Sequence, residues 1–207
     1  MGGSDGGRVT SGRSEWGVAI QRPSIVPHRP EWEHRAAALV QELRERLGPL
    51  ALRIDHIGST AIPLMPSKEV IDLQVGVLSL ARAAAAFDSP LFTMGFVRSP
   101  YEMDHTPAGR SSVRGEWAKR LWVRRGHPDV DANLHVRRVG SPNERLALLF
   151  RDWFRAHPSA VPAYGLFKER LVGVTTDVDT YADVKDPVVD LVMVAAEQWA
   201  AANGWQP

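Results

Sequence analysis

The run Val70–Val77 is the stretch that most constrains how this chain can fold. Its apolar residues are mostly β-branched and nearly continuous, a pattern typical of a strand that is buried on both faces of a sheet. Only Asp72 and Gln74 interrupt the run with strongly polar groups. Because they lie two positions apart, we expect both side chains to point to the same face. A buried carboxylate is costly unless something pairs with it, so Asp72 indicates either a functional site or a structurally satisfied carboxylate.

The segment before this strand carries a glycine–serine turn. Alternating apolar and polar residues over 52–55 predict a strand, and Gly58, Ser59 and Thr60 follow it. A Gly-Ser turn lets the backbone approach a phosphate and offers N–H groups and a hydroxyl to its oxygens. A carboxylate on the next strand could hold Mg²⁺ against that phosphate. A tight turn followed by a structurally satisfied aspartate explains the same residues, and spacing alone does not separate the two interpretations.

Length and composition narrow the class of protein. The 207 residues suit one domain, predicted over 16–204 behind a Gly/Ser-rich, disordered tail over 1–15. Because the net charge is only +1, we do not expect a nucleic-acid partner. The chain has no cysteine, no apolar signal segment and no stretch of transmembrane length, so we expect a cytoplasmic protein without a membrane partner.

Hydrophobic periodicity and cap signals predict a mixed α/β (α+β) fold. Helices are expected to pack largely on one side of a mixed sheet, and a helical portion is expected at the C-terminus. Ser141 and Glu144 have the spacing of a capping box, and Asp186 followed by Pro187 indicates the start of the last helix. The predicted helices are 30–47, 79–87, 141–157, 160–171 and 186–199, and the predicted strands are 52–55, 70–77, 92–97, 117–125 and 130–138.

Two further stretches are candidates for ligand contact. The loop 99–116 is long for a compact domain, which is typical of functional or disordered segments, and it contains Asp104 and His105. The strand 117–125 is the most basic run of the chain and includes Lys119 and Arg120. One interpretation is a phosphate-binding wall, and the other is a solvated edge strand whose charges prevent aggregation.

A series of motifs in a fixed order resembles the GrpB family, a branch of the nucleotidyltransferase superfamily. The resemblance covers roughly 25–199, and the form most similar to it is the GrpB-like domain fused behind dephospho-CoA kinase in actinobacteria. The matching motifs are D-H-I-G-S-T-A-I-P at 55–63, Lys68, I-D-L-Q-V-G-V at 71–77, N-L-H-V at 133–136, G-S at 140–141, F-R-D-W at 150–153, A-H-P at 156–158, Y-x-x-x-K at 164–168 and Y-A-D-V-K-D-P at 181–187.

This resemblance implies a nucleotidyltransferase-like sheet and a specific set of site residues. In that superfamily a Gly-Ser turn precedes two carboxylates two positions apart on one strand, and a later strand supplies a third. The carboxylates hold two Mg²⁺ ions that clamp attack on the α-phosphate of a nucleoside triphosphate. Here Gly58-Ser59 matches the turn and Asp72 the first carboxylate, whereas Gln74 occupies the second position. The third position falls on Asn133 or His135.

The missing carboxylates leave three alternatives open. In the first, one Mg²⁺ arrives with a nucleotide and is held by Asp72 and Gln74. In the second, the site binds a nucleotide without turnover. In the third, the site catalyses a related reaction, such as activation of a carboxylic acid. In the last case His56 or His135 is the candidate base, because histidine titrates near neutrality. Histidine is a poor ligand for Mg²⁺, which prefers oxygen.

The expected ligand is ATP or another nucleoside triphosphate with Mg²⁺, and the expected activity leans towards a nucleotidyltransferase acting on a small-molecule acceptor. The alternative is a non-catalytic accessory module with a protein partner. The candidate catalytic residues are Asp72, His56 and His135, and Asp104 and His105 are assigned to a substrate loop. The candidate nucleotide- and phosphate-binding residues are Gly58, Ser59, Thr60, Lys68, Lys119, Arg120, Arg151, Lys168 and Lys185.

Overall fold

The computed structural model describes residues 24–110, 113 and 115–207. The predicted disordered tail over 1–15 lies outside the described residues, as does the start of the predicted domain. Within the described part, the order of helices and strands is the predicted one. The elements are α1 (Glu31–Leu47), β1 (Arg53–Ile57), β2 (Val70–Val77), α2 (Leu80–Thr93), β3 (Val97–Arg98), β4 (Lys119–Arg124), β5 (Asp131–Arg138), α3 (Pro142–Ala156), α4 (Val161–Val174) and α5 (Val178–Asn203).

The strands form one mixed sheet in the order β1-β2-β5-β4-β3. The pair β2–β5 is parallel, and the other pairs are antiparallel. As its apolar sequence predicts, β2 lies inside the sheet, and Ile71, Leu73 and Val75 are fully buried. The mixed α/β fold with a C-terminal helical portion is confirmed.

The helices form two groups. Helices α1 and α2 pack on the apolar face of the strands and form the main core with them. Helices α3, α4 and α5 form the C-terminal portion, with apolar clusters of their own. One of these clusters includes Ile62 and Met65 from the loop between β1 and β2. The C-terminal helices therefore contact the segment that carries the Gly58-Ser59 turn. Across the described ranges, no helix combines the length and apolar character that crossing a membrane requires.

Helix α2 is longer than predicted, and the predicted strand over 92–97 is wrong. The helix begins as expected at Ser79, whose Oγ accepts a hydrogen bond from the N–H of Arg82. It continues through Pro90 to Thr93 because Phe87 and Leu91 are buried against the sheet. The following strand is reduced to the two residues of β3.

The start of the last helix is also corrected. Helix α5 begins at Val178, where the Asp177 side chain accepts a 2.8 Å hydrogen bond from the N–H of Thr180. Pro187 therefore lies inside the helix and not at its first turn. The early turns are held by packing, since Tyr181 is buried.

The predicted capping box at α3 does not form. Ser141 Oγ lies 2.6 Å from both the carbonyl of Arg138 and Asn143 Oδ1, so its single proton is shared between these two acceptors, and the same Oδ1 accepts from the N–H of Glu144. Glu144 Oε2 accepts from the N–H of Gly140 at 2.8 Å. The asparagine side chain thus replaces the serine hydroxyl as acceptor at the start of this helix.

The basic strand β4 is not an edge strand, which rules out the interpretation of its charges as a solvated edge. It pairs with β3 on one side and β5 on the other. Lys119 and Arg124 are buried, and Trp122 is 1% exposed. Arg124 lies over the ring of Phe96 and donates to the carbonyl of Val130, so it has a structural role.

Candidate functional site

The parallel register of β2 and β5 assembles the centre of the candidate site. It places Asp72 opposite Asn133 and Gln74 opposite His135. Asn133 Nδ2 donates a 2.7 Å hydrogen bond to Asp72 Oδ1, and His135 Nε2 lies 3.7 Å from the same oxygen. Arg125, at the end of β4, donates in turn to Asn133 Oδ1 at 2.6 Å. The two positions that replace the expected third carboxylate are therefore both beside Asp72.

The Gly58-Ser59 turn lies directly against Asp72. Gly58 has a φ of +75° and a ψ of −145°, a conformation that only glycine adopts readily. A Cβ atom at this position would lie 2.7 Å from Asp72 Oδ2. Glycine is thus required both by the backbone conformation and by the close approach of the carboxylate.

Asp72 is a carboxylate at neutral pH. Burial raises its pKa, but hydrogen bonds from His135 and Asn133 and the positive charge of Lys68 outweigh that effect, and the pKa is lowered to about 2. The side chain keeps 29% of its surface exposed. Asp72 therefore offers a partly exposed, negatively charged carboxylate to a cation or a hydrogen-bond donor.

The surroundings of His135 set its tautomer. Arg137 Nη2 lies 3.4 Å from His135 Nδ1. A guanidinium group can only donate, so Nδ1 must be the unprotonated nitrogen, and the ring proton sits on Nε2 towards Asp72. Burial lowers the pKa of His135, and the charges of Arg137 and Lys119 lower it further against the opposing effect of Asp72. The lowered pKa favours the neutral imidazole, whose Nε2 faces Asp72 Oδ1 from 3.7 Å.

Gln74 is not placed to bind a metal ion, which corrects the prediction from its position beside Asp72. The side chain is fully buried. Its Oε1 accepts a 2.6 Å hydrogen bond from Arg137, and its Nε2 donates to the carbonyl of Glu144 at 3.3 Å. The oxygen that would coordinate Mg²⁺ is already occupied by an arginine cation.

Asp104 belongs to a buried ionic network and not to an open substrate loop. Arg137 donates to both of its oxygens, at 2.8 and 3.0 Å, and Lys119 Nζ lies 2.7 Å from Oδ1. Asn143 Nδ2 adds a 2.9 Å bond to Oδ2. Burial raises the pKa of Asp104, but Arg137 and Lys119 hold it well below its usual range. The network ties the loop before β4 to β5 and α3.

Three other predicted ligand residues also have protein partners. Lys119 is used by Asp104, so it is not part of a phosphate-binding wall. Arg120 Nε lies 3.2 Å from Glu102, and its Nη1 donates to the carbonyl of Lys119. His105 Nε2 lies 3.0 Å from Asp190 on α5. These contacts fix the loop between β3 and β4 to its neighbours.

His56, near the end of β1, contacts the turn through its side chain. Its Nε2 lies 2.9 Å from Thr60 Oγ1, and Thr60 is itself buried. Burial lowers the pKa of His56 to about 4, and Arg155 and Arg151 contribute against the attraction of Asp72. His56 is therefore neutral at physiological pH, and with Thr60 it stabilises the turn from within.

Two arginines of α3 hold the main chain of the turn. Arg151 Nη1 donates to the carbonyl of His56 at 3.0 Å, and its Nε lies 2.7 Å from Asp152. Arg155 Nε donates to the carbonyl of Ala61 at 2.9 Å. Arg151, predicted to bind phosphate, instead fixes the backbone before Gly58, and Arg155 fixes the backbone that follows the turn.

Three of the predicted lysines, from separate parts of the chain, lie near enough for their charges to interact, and one of them contacts the turn. Lys168 on α4 is 2% exposed, and its Nζ donates to Ser59 Oγ at 3.3 Å and to the carbonyl of Pro66. Lys68 precedes β2 and lies over the ring of Tyr181. Lys185 on α5 completes the group, with its Nζ 3.7 Å from Asp186.

The lysines influence one another and Asp72 electrostatically. Burial, together with the charges of Lys185 and Lys68, lowers the pKa of Lys168 to about 7. Burial also lowers the pKa of Lys68, while Asp72 opposes this and Lys185 adds to it. One carboxylate thus faces several cations, which makes the surroundings of Ser59 favourable for an anion.

The donor set allows at most one hard cation. Across the ranges that the structure describes, no group of three or more histidine, aspartate and glutamate side chains is placed to hold a metal ion. Asp72 alone fits a Mg²⁺ whose other ligands are water and phosphate oxygens, since Mg²⁺ is commonly bound through one or two carboxylates plus substrate phosphates. The arrangement does not fit two metal ions.

Some residues at the site were not singled out in the sequence. Arg137 had a usable signal, because it has the same strand parity as Asn133 and His135 and must share their face. Asn143 and Arg155 reach the site from α3 through tertiary packing, and no local pattern predicts that contact.

Relatives of the chain fall into two groups by length. Similar proteins include a dephospho-CoA kinase of Mycolicibacterium paratuberculosis, which is 38% identical over 88% of this chain and 48% of its own length. A dephospho-CoA kinase of Mycobacterium tuberculosis is 35% identical, with 92% and 50% covered. The chain thus spans about half the length of these kinases. A UPF0157 protein of Deinococcus radiodurans is 30% identical over 75% of this chain and 73% of its own length.

Solved structures show a similar fold, and a family model gives the assignment. The crystal structure of the conserved protein GrpB from Enterococcus faecalis matches with a TM-score of 0.67 and 23% identity, covering 85% of this chain and 99% of that one. The Cid1 poly(U) polymerase matches with a TM-score of 0.46 and 15% identity, covering 69% and 43%. The model of the GrpB protein family matches residues 22–194. The chain belongs to the GrpB family.

Proposed function

We propose that the chain binds a nucleoside triphosphate together with one Mg²⁺ at the Gly58-Ser59 turn. The observation that carries the proposal is that Lys168 Nζ contacts Ser59, in a turn that lies against the carboxylate of Asp72, while Lys68 and Lys185 lie near enough for their charges to lower the pKa of Lys168. Cations close to an open turn favour a polyanion, and a single ionised aspartate suits a metal ion that the polyanion brings with it.

Each element of the site has a role in this proposal. The main chain at Gly58 and the hydroxyl of Ser59 contact phosphate oxygens, and the three lysines neutralise the phosphate charge. Asp72 holds the Mg²⁺, which neutralises charge on the phosphates and polarises their oxygens. Asn133 and His135 keep Asp72 oriented through their contacts with Oδ1. Arg151 and Arg155 keep the turn in position through its carbonyls.

The catalytic form of the proposal is nucleotidyl transfer to a small-molecule acceptor. An acceptor oxygen would attack the α-phosphate, and pyrophosphate would leave. We assign neither histidine as a general base, because His56 Nε2 contacts Thr60 and both ring nitrogens of His135 lie beside charged side chains. The described residues assign no group to deprotonate the acceptor, so an acceptor that is already ionised, such as a carboxylate, suits this site best.

The second candidate is a non-catalytic module that binds a nucleotide and acts on a partner protein. The burial of Gln74 against Arg137 favours it, because the second metal position is closed. The half-length match to dephospho-CoA kinases is compatible with a module that accompanies another enzyme. The present sequence contains no G-x-x-x-x-G-K-[ST] motif of a P-loop kinase.

The test is calorimetric titration of the protein with ATP, GTP, CTP and UTP, with and without Mg²⁺. We expect Mg²⁺ to tighten binding of at least one nucleotide, and we expect Asp72→Asn to remove that tightening. Asp129→Asn is the matched control, since its side chain is 79% exposed in the turn between β4 and β5. Failure of all four nucleotides to bind would refute the proposal.

Turnover separates the two candidates. Release of pyrophosphate in the presence of carboxylic-acid acceptors, lost in Asp72→Asn, supports nucleotidyl transfer. Nucleotide binding without pyrophosphate release across that acceptor set supports the non-catalytic module.

A further inference from the structure

Lys168 is an almost fully enclosed amine at the base of the proposed anion site. Its side chain is 2% exposed, and its Nζ has two oxygen partners, Ser59 Oγ at 3.3 Å and the carbonyl of Pro66. The Tyr164 ring lies 5.4 Å from Nζ. Ser59 is only partly buried, so its hydroxyl connects the enclosed amine to the open side of the turn.

Two lysines and two acidic residues act on the charge of Lys168. Lys185 faces it from α5, and Lys68 faces it from the segment before β2. The opposing charges are Asp72 on β2, which is already shared with Asn133 and His135, and Glu169 on the exposed side of α4. Burial and the two neighbouring lysines lower the pKa of Lys168 to about 7.

We propose that Lys168 takes up a proton when a phosphate-bearing anion binds at Ser59, so that anion recognition is coupled to protonation of a buried amine. This inference rests on the function proposed above, and it specifies how the site is regulated by pH. The anion supplies the negative charge that Lys168 lacks in the free protein, and that charge stabilises the ammonium form.

The Ser59 hydroxyl can switch direction with this proton. When Lys168 is a neutral amine, its lone pair can accept the hydroxyl proton of Ser59. When a proton from solvent converts it to an ammonium, Nζ donates to Ser59 Oγ, and the hydroxyl proton is free to bond a phosphate oxygen. Protonation therefore adds one charge and one hydrogen-bond donor to the site, and no bond other than these N–H and O–H contacts changes.

The experiment is calorimetric titration with Mg·ATP and, separately, with inorganic tripolyphosphate, in buffers of different ionisation enthalpy at pH 8. A group with a pKa of about 7 is mostly neutral at pH 8, so we expect uptake of up to about 0.9 proton for each ligand bound. Because binding is coupled to proton uptake, we also expect the affinity for each ligand to weaken by up to about tenfold for each pH unit above 7.5.

Two variants and one direct measurement assign the proton. Lys168→Met should bind more weakly and show proton uptake near zero. The Lys185→Met variant should also bind the anion more weakly. Its proton uptake should persist but occur at a higher pH, because one charge that lowers the pKa of Lys168 is gone. Nuclear magnetic resonance of ¹³Cε-labelled lysine in the wild-type protein should show one resonance that titrates near pH 7 and shifts to higher pH with tripolyphosphate.

The outcomes separate this inference from the proposed function. Binding without proton uptake at pH 8 would overturn the inference and leave nucleotide binding intact. Uptake that persists in Lys168→Met would overturn the assignment to this residue. Absence of binding by both probes would overturn both proposals.

Discussion

Replacement of Arg137 by methionine should be one of the most damaging single changes in this protein. The guanidinium is buried, and it donates to both oxygens of Asp104 and to Gln74 Oε1. Removal leaves the Asp104 carboxylate, 15% exposed, with Lys119 and Asn143 as its remaining side-chain partners among the described residues. Breaking a buried ion pair by removing one partner costs about 3–5 kcal/mol. Because Lys119 remains, we expect a loss at the lower end of that range.

Urea denaturation followed by tryptophan fluorescence measures this loss as a change in the free energy of unfolding. The matched control is Arg29→Met, which breaks the ion pair with Glu69 on the surface, where both side chains are about half exposed. Exposed pairs contribute about 0–1 kcal/mol, so the control should change stability little. Asp104→Asn combined with Arg137→Met should be more stable than Arg137→Met alone, because the unpaired buried charge is gone.

Two results would refute the reasoning about this network. One is a loss of less than about 1 kcal/mol for Arg137→Met, which would place the pair in the class of surface ion pairs. The other is a double variant no more stable than the single one, which would show that the uncompensated charge of Asp104 is not the source of the damage.

Two further predictions concern the turn and Asp72. Gly58→Ala should destabilise the protein more than Gly48→Ala and should abolish nucleotide binding. Both glycines have positive φ with ψ near −150°, but only a Cβ added at position 58 would collide with Asp72. Unfolding and nucleotide-binding measurements on the two variants check this prediction. The pKa of Asp72 falls from 3.8 to about 2 on folding, so its stabilising contribution is complete above about pH 4 and is lost as pH falls towards 2. The stability difference between wild type and Asp72→Asn, measured by urea denaturation from pH 6 to pH 2.5, should shrink accordingly.

The centre of the site could be predicted from the sequence because it lies on strands. The apolar run of β2 identified a buried strand, and strand parity placed Asp72 and Gln74 on one face. The family pattern indicated Asn133 or His135 as the third position, and the parallel pairing of β2 with β5 puts Asn133 within a hydrogen bond of Asp72. A period of two residues fixes the face of every side chain once the strand is known.

The limits of prediction lie where tertiary contacts decide. Pro187 after Asp186 is a strong local start signal, yet α5 begins nine residues earlier than Pro187, at Val178, where Asp177 supplies the cap. A charge in the sequence also does not reveal its partner. Lys119 and Lys168 were both predicted to bind phosphate, but one is neutralised by Asp104 and the other has no carboxylate in contact among the described residues.

The candidate site has a solvent-exposed half and a buried half. Along one face of β2 and β5, the side chains pass from Asp72 and Asn133, which reach solvent, to Gln74 and Arg137, which do not. A second metal ion would need an oxygen ligand at position 74, but that position faces a guanidinium held by Asp104. A carboxylate introduced there would pair with Arg137 before it could bind Mg²⁺. The guanidinium of Arg137 therefore occupies the oxygen that a second metal ion would need. The solvent-exposed half of the site is left with one carboxylate and the neighbouring lysines.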